Sequence, residues 1–159
     1  IEVAAVRLEI VDNEYKVIDK FHRYYLSIYP VNFYSYAVHR LTPELILEHR
    51  ANKEYSSYFT EDEDFIDFCR EANTLVAHNI SFELRHIDKM AFFSKHICTM
   101  KENKKLVKSL NKKGNIKNPS LDEVCDFFDI EFDESSHHSA TYDVSKTFEI
   151  LRKMNLENS

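Results

Sequence analysis

The chain has 159 residues, of which 43% are hydrophobic and 30% charged, with a net charge of −6. That balance belongs to one globular domain with a sizeable core rather than to a disordered segment. No apolar run reaches the roughly 20 residues of a membrane span, and a single glycine, Gly114, excludes the Gly-rich phosphate loops of kinases and dinucleotide-binding enzymes.

Residues 1–10 (Val3, Ala4, Ala5, Val6, Leu8, Ile10) read as an apolar-rich strand. Asp12-Asn13-Glu14 is turn chemistry, and the run from Tyr15 to Ile28 makes the second arm of an antiparallel hairpin that ends at Pro30. Thr42-Pro43-Glu44 is a helix start, with Thr42 as N-cap and Pro43 in the first turn. Thr60 with Glu63 has capping-box spacing, ahead of Phe65, Ile66, Phe68 and Cys69 at helical spacing. Thr74-Leu75-Val76-Ala77 predicts a short buried strand, followed by a helix over 81–94. Ile97-Cys98-Thr99 predicts another strand, and a lysine-rich helix spans about 100–110. A loop over 111–119 leads to a helix capped by Ser120, and the last helix runs from about Ala140 to Met154. Strands first, then helices alternating with short strands, predict an α/β domain with a mixed sheet and the hairpin at one side.

Three cysteines, Cys69, Cys98 and Cys125, are scattered and odd in number. They read as small buried hydrophobes and suggest a cytoplasmic setting. No leader with a small-residue cleavage site is evident. The first residue is Ile, which suggests a start after a tag, a cleavage or an unlisted segment. The acidic balance leaves no overall basic footprint. Even so, Lys101, Lys104, Lys105, Lys108, Lys112, Lys113 and Lys117 fall within 17 residues, opposed there by Glu102 alone. A solvated helix face and a phosphate-contacting edge both fit that run.

Three segments carry candidate chemistry. His138-Ser-Ala-Thr-Tyr-Asp143 opens the last helix. A histidine at a helix mouth and an aspartate five residues on could share a cleft, one taking a proton from water and the other holding a metal. Asp143 could equally serve only the helix N-terminus. Next, Val76-Ala77-His78-Asn79-Ile80-Ser81-Phe82-Glu83 ends a buried strand and opens a helix with an acid in its first turn. Ends of this kind are where open α/β sheets place ligands, though Glu83 could simply cap its helix. Last, Val38-His39-Arg40-Leu41-Thr42 precedes a helix start, where an exposed histidine could contact a phosphate or sugar.

Taken together, these motifs resemble the DEDDh 3′→5′ exonucleases, the family of proofreading epsilon subunits, exonuclease X-like enzymes and ribonuclease T. The family's Val-His-Gly-Ile-Thr, Val-Ala-His-Asn-x-x-Phe-Asp and His-x-Ala-x-x-Asp stand here as the three segments above. Ile97-Cys98-Thr99-Met100, Ser120-Leu121-Asp122-Glu123-Val124-Cys125 and Ile1-Glu2-Val3-Ala4-Ala5-Val6 match supporting segments, so the resemblance covers about residues 1–154. It implies a ribonuclease H-like mixed β-sheet flanked by helices, and two Mg²⁺ or Mn²⁺ ions acting on a single-stranded 3′ end of DNA or RNA. A DNA polymerase subunit is a further partner under this reading, in replication or repair. His138 would be the general base, Asp143 and Glu83 metal ligands, and His39, Arg40, His78 and Asn79 substrate contacts. His137 is rejected because its spacing to Asp143 is one residue too long.

The pattern also departs from the family. No Asp-x-Glu strand precedes Ile1, and Asp12-Asn13-Glu14 sits in a turn after the wrong strand. Residues 1–159 are therefore expected to form a single exonuclease domain lacking its first, central strand, with an upstream segment supplying it. Glu83 stands for an aspartate, Arg40 for a glycine, and Asp88 points too far around its helix to substitute for Glu83. These departures favour a rival reading, a nucleic-acid-binding domain that keeps the fold without catalysis. A third reading is a metal-dependent phosphodiesterase on small nucleotides.

Overall fold

A computed structural model describes residues 1–28, 33–51, 53–87, 93–136 and 138–157. Strand β1 (Glu2–Val11) and strand β2 (Glu14–Tyr24) form the expected antiparallel hairpin. Its turn residues Asp12 and Asn13 have φ of 54° and 63°. Both lie in the left-handed region that a two-residue hairpin needs, and Asp and Asn tolerate it best among residues with a Cβ. The register slips between Arg7 and Leu8, so that Ile18 bulges out of the ladder.

Helix α1 (Phe33–His39) was not expected from the sequence. It is followed by α2 (Pro43–Arg50), where Thr42 Oγ1 accepts from the Leu45 amide at 3.1 Å as expected. A 3₁₀ turn at Phe59–Glu61 leads into α3 (Glu63–Arg70). The cap of α3 is not Thr60 but Asp62, whose Oδ1 accepts from the amides of Asp64 (3.1 Å) and Phe65 (3.4 Å). Thr60 lies inside the 3₁₀ turn, and the charged oxygen of Asp62 is the stronger acceptor two residues later.

Strand β3 (Thr74–Ala77), α4 (Ile80–Ile87), β4 (Lys95–Cys98) and α5 (Thr99–Val107) make a parallel crossover unit, Thr74 pairing with Lys95 and Ala77 with Cys98. Helix α6 (Leu121–Phe127) has its capping box, Glu123 Oε2 accepting from the Ser120 amide at 2.8 Å. Burial raises the Glu123 carboxyl, but Lys117 and the Ser120 and Ser109 donors outweigh it and hold it down at about 2. The last helix, α7 (Ala140–Glu157), packs against β1, β2, α5 and α6.

Among the described residues the two ladders stay separate, and neither β1 nor β3 pairs a second strand. They share one core nonetheless. Val3 and Ala5 of β1 and Leu75 of β3 pack on the cluster Phe21, Tyr25, Phe59, Phe65, Cys69 and Ile87. A second cluster joins α6 to α7 through Val124, Cys125, Phe128, Ile130 and Ile150. All three cysteines are buried and free, as the sequence suggested. Among the described residues no helix is long and apolar enough to cross a membrane.

Candidate active site

The carboxyl end of β3 is the hinge of the site. His78 follows the strand and is fixed by both ring nitrogens, Nδ1 to Thr99 Oγ1 at 3.0 Å and Nε2 to the Pro119 carbonyl at 3.2 Å. A carbonyl can only accept, so Nε2 carries the proton and Nδ1 accepts from the Thr99 hydroxyl. The His78 carbonyl in turn accepts from the Met100 amide at 3.1 Å and the Cys98 thiol at 3.3 Å. One residue thus ties β3 to the start of α5 and to the entry of α6. Burial keeps the His78 imidazole below its usual value, and the Pro119 carbonyl with the charges of Asp143 and Asp122 partly offsets this. Asp143, in the first turn of α7, therefore lies within electrostatic range of the strand end.

Glu83 is half-buried in the first turn of α4. Burial raises its carboxyl above the ordinary range, and among the described residues no donor or cation offsets that. Asn79 is exposed, and its carbonyl accepts from the Phe82 amide at 2.8 Å. His138 is exposed at the mouth of α7 with φ 75°. A non-glycine residue held there costs of order 1 kcal/mol or more and persists only where its surroundings enforce it. His39 ends α1 and is half-buried, its Nδ1 accepting from the Leu41 amide at 3.0 Å. Burial lowers its imidazole pKa. Arg40 follows, exposed, with φ 53°, a conformation that the family's glycine adopts without strain. His137 and Asp88 lie outside the described residues.

Sequence reasoning missed Glu2. Its side chain is only 9% exposed although it sits at the first position of β1. Oε1 accepts from His22 Nε2 at 2.8 Å and from the Tyr24 hydroxyl at 3.4 Å, while Oε2 accepts from the Ala140 amide at 3.1 Å. A helix N-terminus has unsatisfied amides and partial positive charge, and a carboxylate satisfies both. Glu2 therefore fixes the hairpin to the start of α7, two residues from His138. The signal in sequence was an acid inside an apolar run, which edge solvation explains equally well. Glu2→Ala is expected to lower stability by about 1.5–3 kcal/mol, the range for bonds to a charged acceptor. Glu2→Gln keeps an acceptor for Ala140 and should recover most of that loss. Urea midpoints of the three proteins check both.

The family model RNase_T, described as exonuclease, matches residues 1–151. No curated protein sequence matches the chain. Among solved structures, exonuclease X in complex with 5′-overhanging duplex DNA superposes with a TM-score of 0.64 and 22% sequence identity, over 99% of this chain and 82% of that one. The likeness shows the fold, a mixed α/β architecture with helices flanking the strands, consistent with the ribonuclease H-like class.

Proposed function

Because this chain belongs to the RNase_T exonuclease family, a nucleic-acid exonuclease domain, we propose that it releases nucleotides one at a time from 3′ ends by hydrolysis. The observation that carries the reading is the set of ionisable groups at the end of β3 and the starts of α4 and α7. His78 closes β3, Glu83 opens α4, and Asp143 at the start of α7 is close enough for its charge to act on His78. A histidine at the mouth of α7 with a carboxylate in the first turn of the same helix suits attack by water on a phosphodiester.

The roles we assign follow the chemistry of each group. His138 accepts the proton of the attacking water. Asp143 and Glu83 are the two carboxylates offered to divalent cations. The ring bonds of His78 suit it to positioning, and we assign His39, Arg40 and Asn79 to the terminal nucleotide from the motifs that they occupy. The partner we assign is a single-stranded 3′ end, and the DNA bound in the exonuclease X structure supports a nucleic-acid partner. A DNA polymerase subunit is a second proposed partner, in replication or repair, on the strength of the family's epsilon branch.

Two Mg²⁺ or Mn²⁺ ions would supply charge for the scissile phosphate. The described residues do not complete a site for them, since no group of three or more His, Cys, Asp or Glu side chains comes together. We infer that residues 1–159 are a single domain completed by a strand carrying Asp-x-Glu between β1 and β3. The separate ladders over a shared core support that placement. Glu83, standing where the family has aspartate, favours a second reading, a binding domain without catalysis.

The two readings separate on a 5′-labelled oligonucleotide. Trimming is expected as a one-nucleotide ladder with Mn²⁺, abolished by EDTA and absent from Asp143→Ala. Retained oligonucleotide binding with no ladder in the parent protein would establish the non-catalytic reading. Turnover confined to dinucleotides would point to a small-nucleotide phosphodiesterase.

A further inference from the structure

The lysine-rich run takes a definite shape. Lys101, Lys104 and Lys105 recur at i, i+3 and i+4, which places them on one stripe of α5, and Lys108 follows as its C-cap. The opposite face is anchored inward. Thr99 and Asn103 are fully buried, and Asn103 Nδ2 donates to the Thr99 carbonyl at 2.8 Å and to Met154 Sδ of α7 at 3.2 Å. Like charges at these spacings each cost an isolated helix about 0.2–0.5 kcal/mol. Among the described residues no carboxylate pairs with any of the four, and Glu102, the acid of this helix, makes no ion pair.

Beyond Lys108, which ends the helix at φ 53°, the chain turns through a small hairpin bridged by Leu110 and Ile116. The Asn111 side chain accepts from the amides of Lys113 (2.9 Å) and Asn115 (3.1 Å), shaping a tip that leaves Lys112 and Lys113 exposed. Lys117 is different, being paired to Glu123 at 2.6 Å. The surface also has a fixed relation to the candidate site. It begins at Thr99 and returns to Pro119, the two residues that hold the His78 ring.

We propose that the lysine stripe of α5, extended by the hairpin tip, is the track for the phosphodiester backbone of the nucleic acid whose 3′ end lies in the candidate active site. This deepens the exonuclease reading and rests on it for the polarity of the strand. The stripe runs about 10 Å, seven residues at about 1.5 Å each, long enough to meet more than one phosphate of a strand. In a chain with net charge −6, such a local patch concentrates positive potential where a polyanion could be held.

The test is fluorescence anisotropy of a labelled single-stranded 20-mer in EDTA across NaCl concentrations. It compares the parent with Lys101→Gln/Lys104→Gln/Lys105→Gln/Lys108→Gln, with circular dichroism to confirm the helix, which Gln supports nearly as well as Lys. Each lost phosphate contact removes about 0.7 from the slope of log K against log salt. The quadruple variant is therefore expected to lose about 2–3 from that slope, and Lys112→Gln/Lys113→Gln about 1. Dinucleotide hydrolysis with Mn²⁺, which does not reach the track, should stay within twofold. An unchanged slope in a folded quadruple variant overturns the track, as does a parent protein that binds no oligonucleotide. A reduced slope in a protein that trims nothing keeps the track and removes the exonuclease reading instead.

Discussion

His138→Asn is expected to slow 3′-terminal trimming by about 10²–10⁴-fold, the contribution of a positioned general base. Asparagine is the informative replacement. His138 holds φ 75°, a left-handed conformation that Asn accepts more readily than Ala, so the loop entering α7 keeps its path. The side chain is exposed, so truncation opens no cavity. Oligonucleotide affinity in EDTA should stay within about twofold and the melting temperature within a few degrees, because neither depends on proton transfer. Single-turnover trimming rates, affinity and melting temperature together decide the matter. A folded variant that retains more than a tenth of the parent rate removes His138 from the role of base. A fall in rate matched by an equal fall in affinity would make it a binding residue.

Asp62→Ala is expected to cost about 3–5 kcal/mol, the range for stripping one partner from a buried charged pair. Against a total stability of about 5–15 kcal/mol this is close to unfolding the domain. Asp62 is 3% exposed and serves two functions at once. It caps α3, and it accepts from the Tyr25 hydroxyl at 2.6 Å and from Arg23 Nη1 at 2.7 and 2.9 Å. Tyr25 is fully buried, so without Asp62 its hydroxyl has lost its acceptor inside the core. Arg23 lies over the rings of Phe21 and Tyr55, and keeps only the exposed carboxylate of Asp64. Urea unfolding should show the midpoint falling by about 1.5–3 M.

The same residue predicts an acid response. Burial alone would raise the Asp62 carboxyl, but the bonds from Tyr25 and Arg23 outweigh it and hold it below the ordinary carboxylate value. Its contribution is therefore complete above the unfolded-state value of about 3.9 and is lost as pH falls through the lower folded value. Parent stability should drop below pH 4 more steeply than that of Asp62→Asn. Parallel pH profiles for the two would show that Asp62 does not carry the acid sensitivity.

Much of this could be read along the chain. The hairpin, the Thr42-Pro43 start, the Ser120 cap and the buried cysteines rest on local rules, because turn dihedrals and orphan helix amides are satisfied by neighbours a few residues away. Family membership was legible for a similar reason. His138, Asp143, His78 and Glu83 stand at helix starts and a strand end, where spacing along the chain fixes direction. The cap of α3 differs from expectation because Thr60 with Glu63 carries the local capping-box spacing. Asp62 prevails through Tyr25 and Arg23, residues 37 and 39 positions away.

What the sequence determined by itself was the α/β class, the order of the elements and the residue types that could do the chemistry. Tertiary structure alone decided three matters. It placed Glu2 on the amide of Ala140, across 138 residues. It fixed both nitrogens of His78 on Thr99 and Pro119, so that a residue legible as a contact is held as a strut. It also left β1 and β3 in separate ladders over one core. The physical reason is common to all three. Local pattern is set by backbone geometry within a few residues, whereas a buried acceptor or an unpaired strand edge is settled only when distant segments meet and every polar group must find a partner.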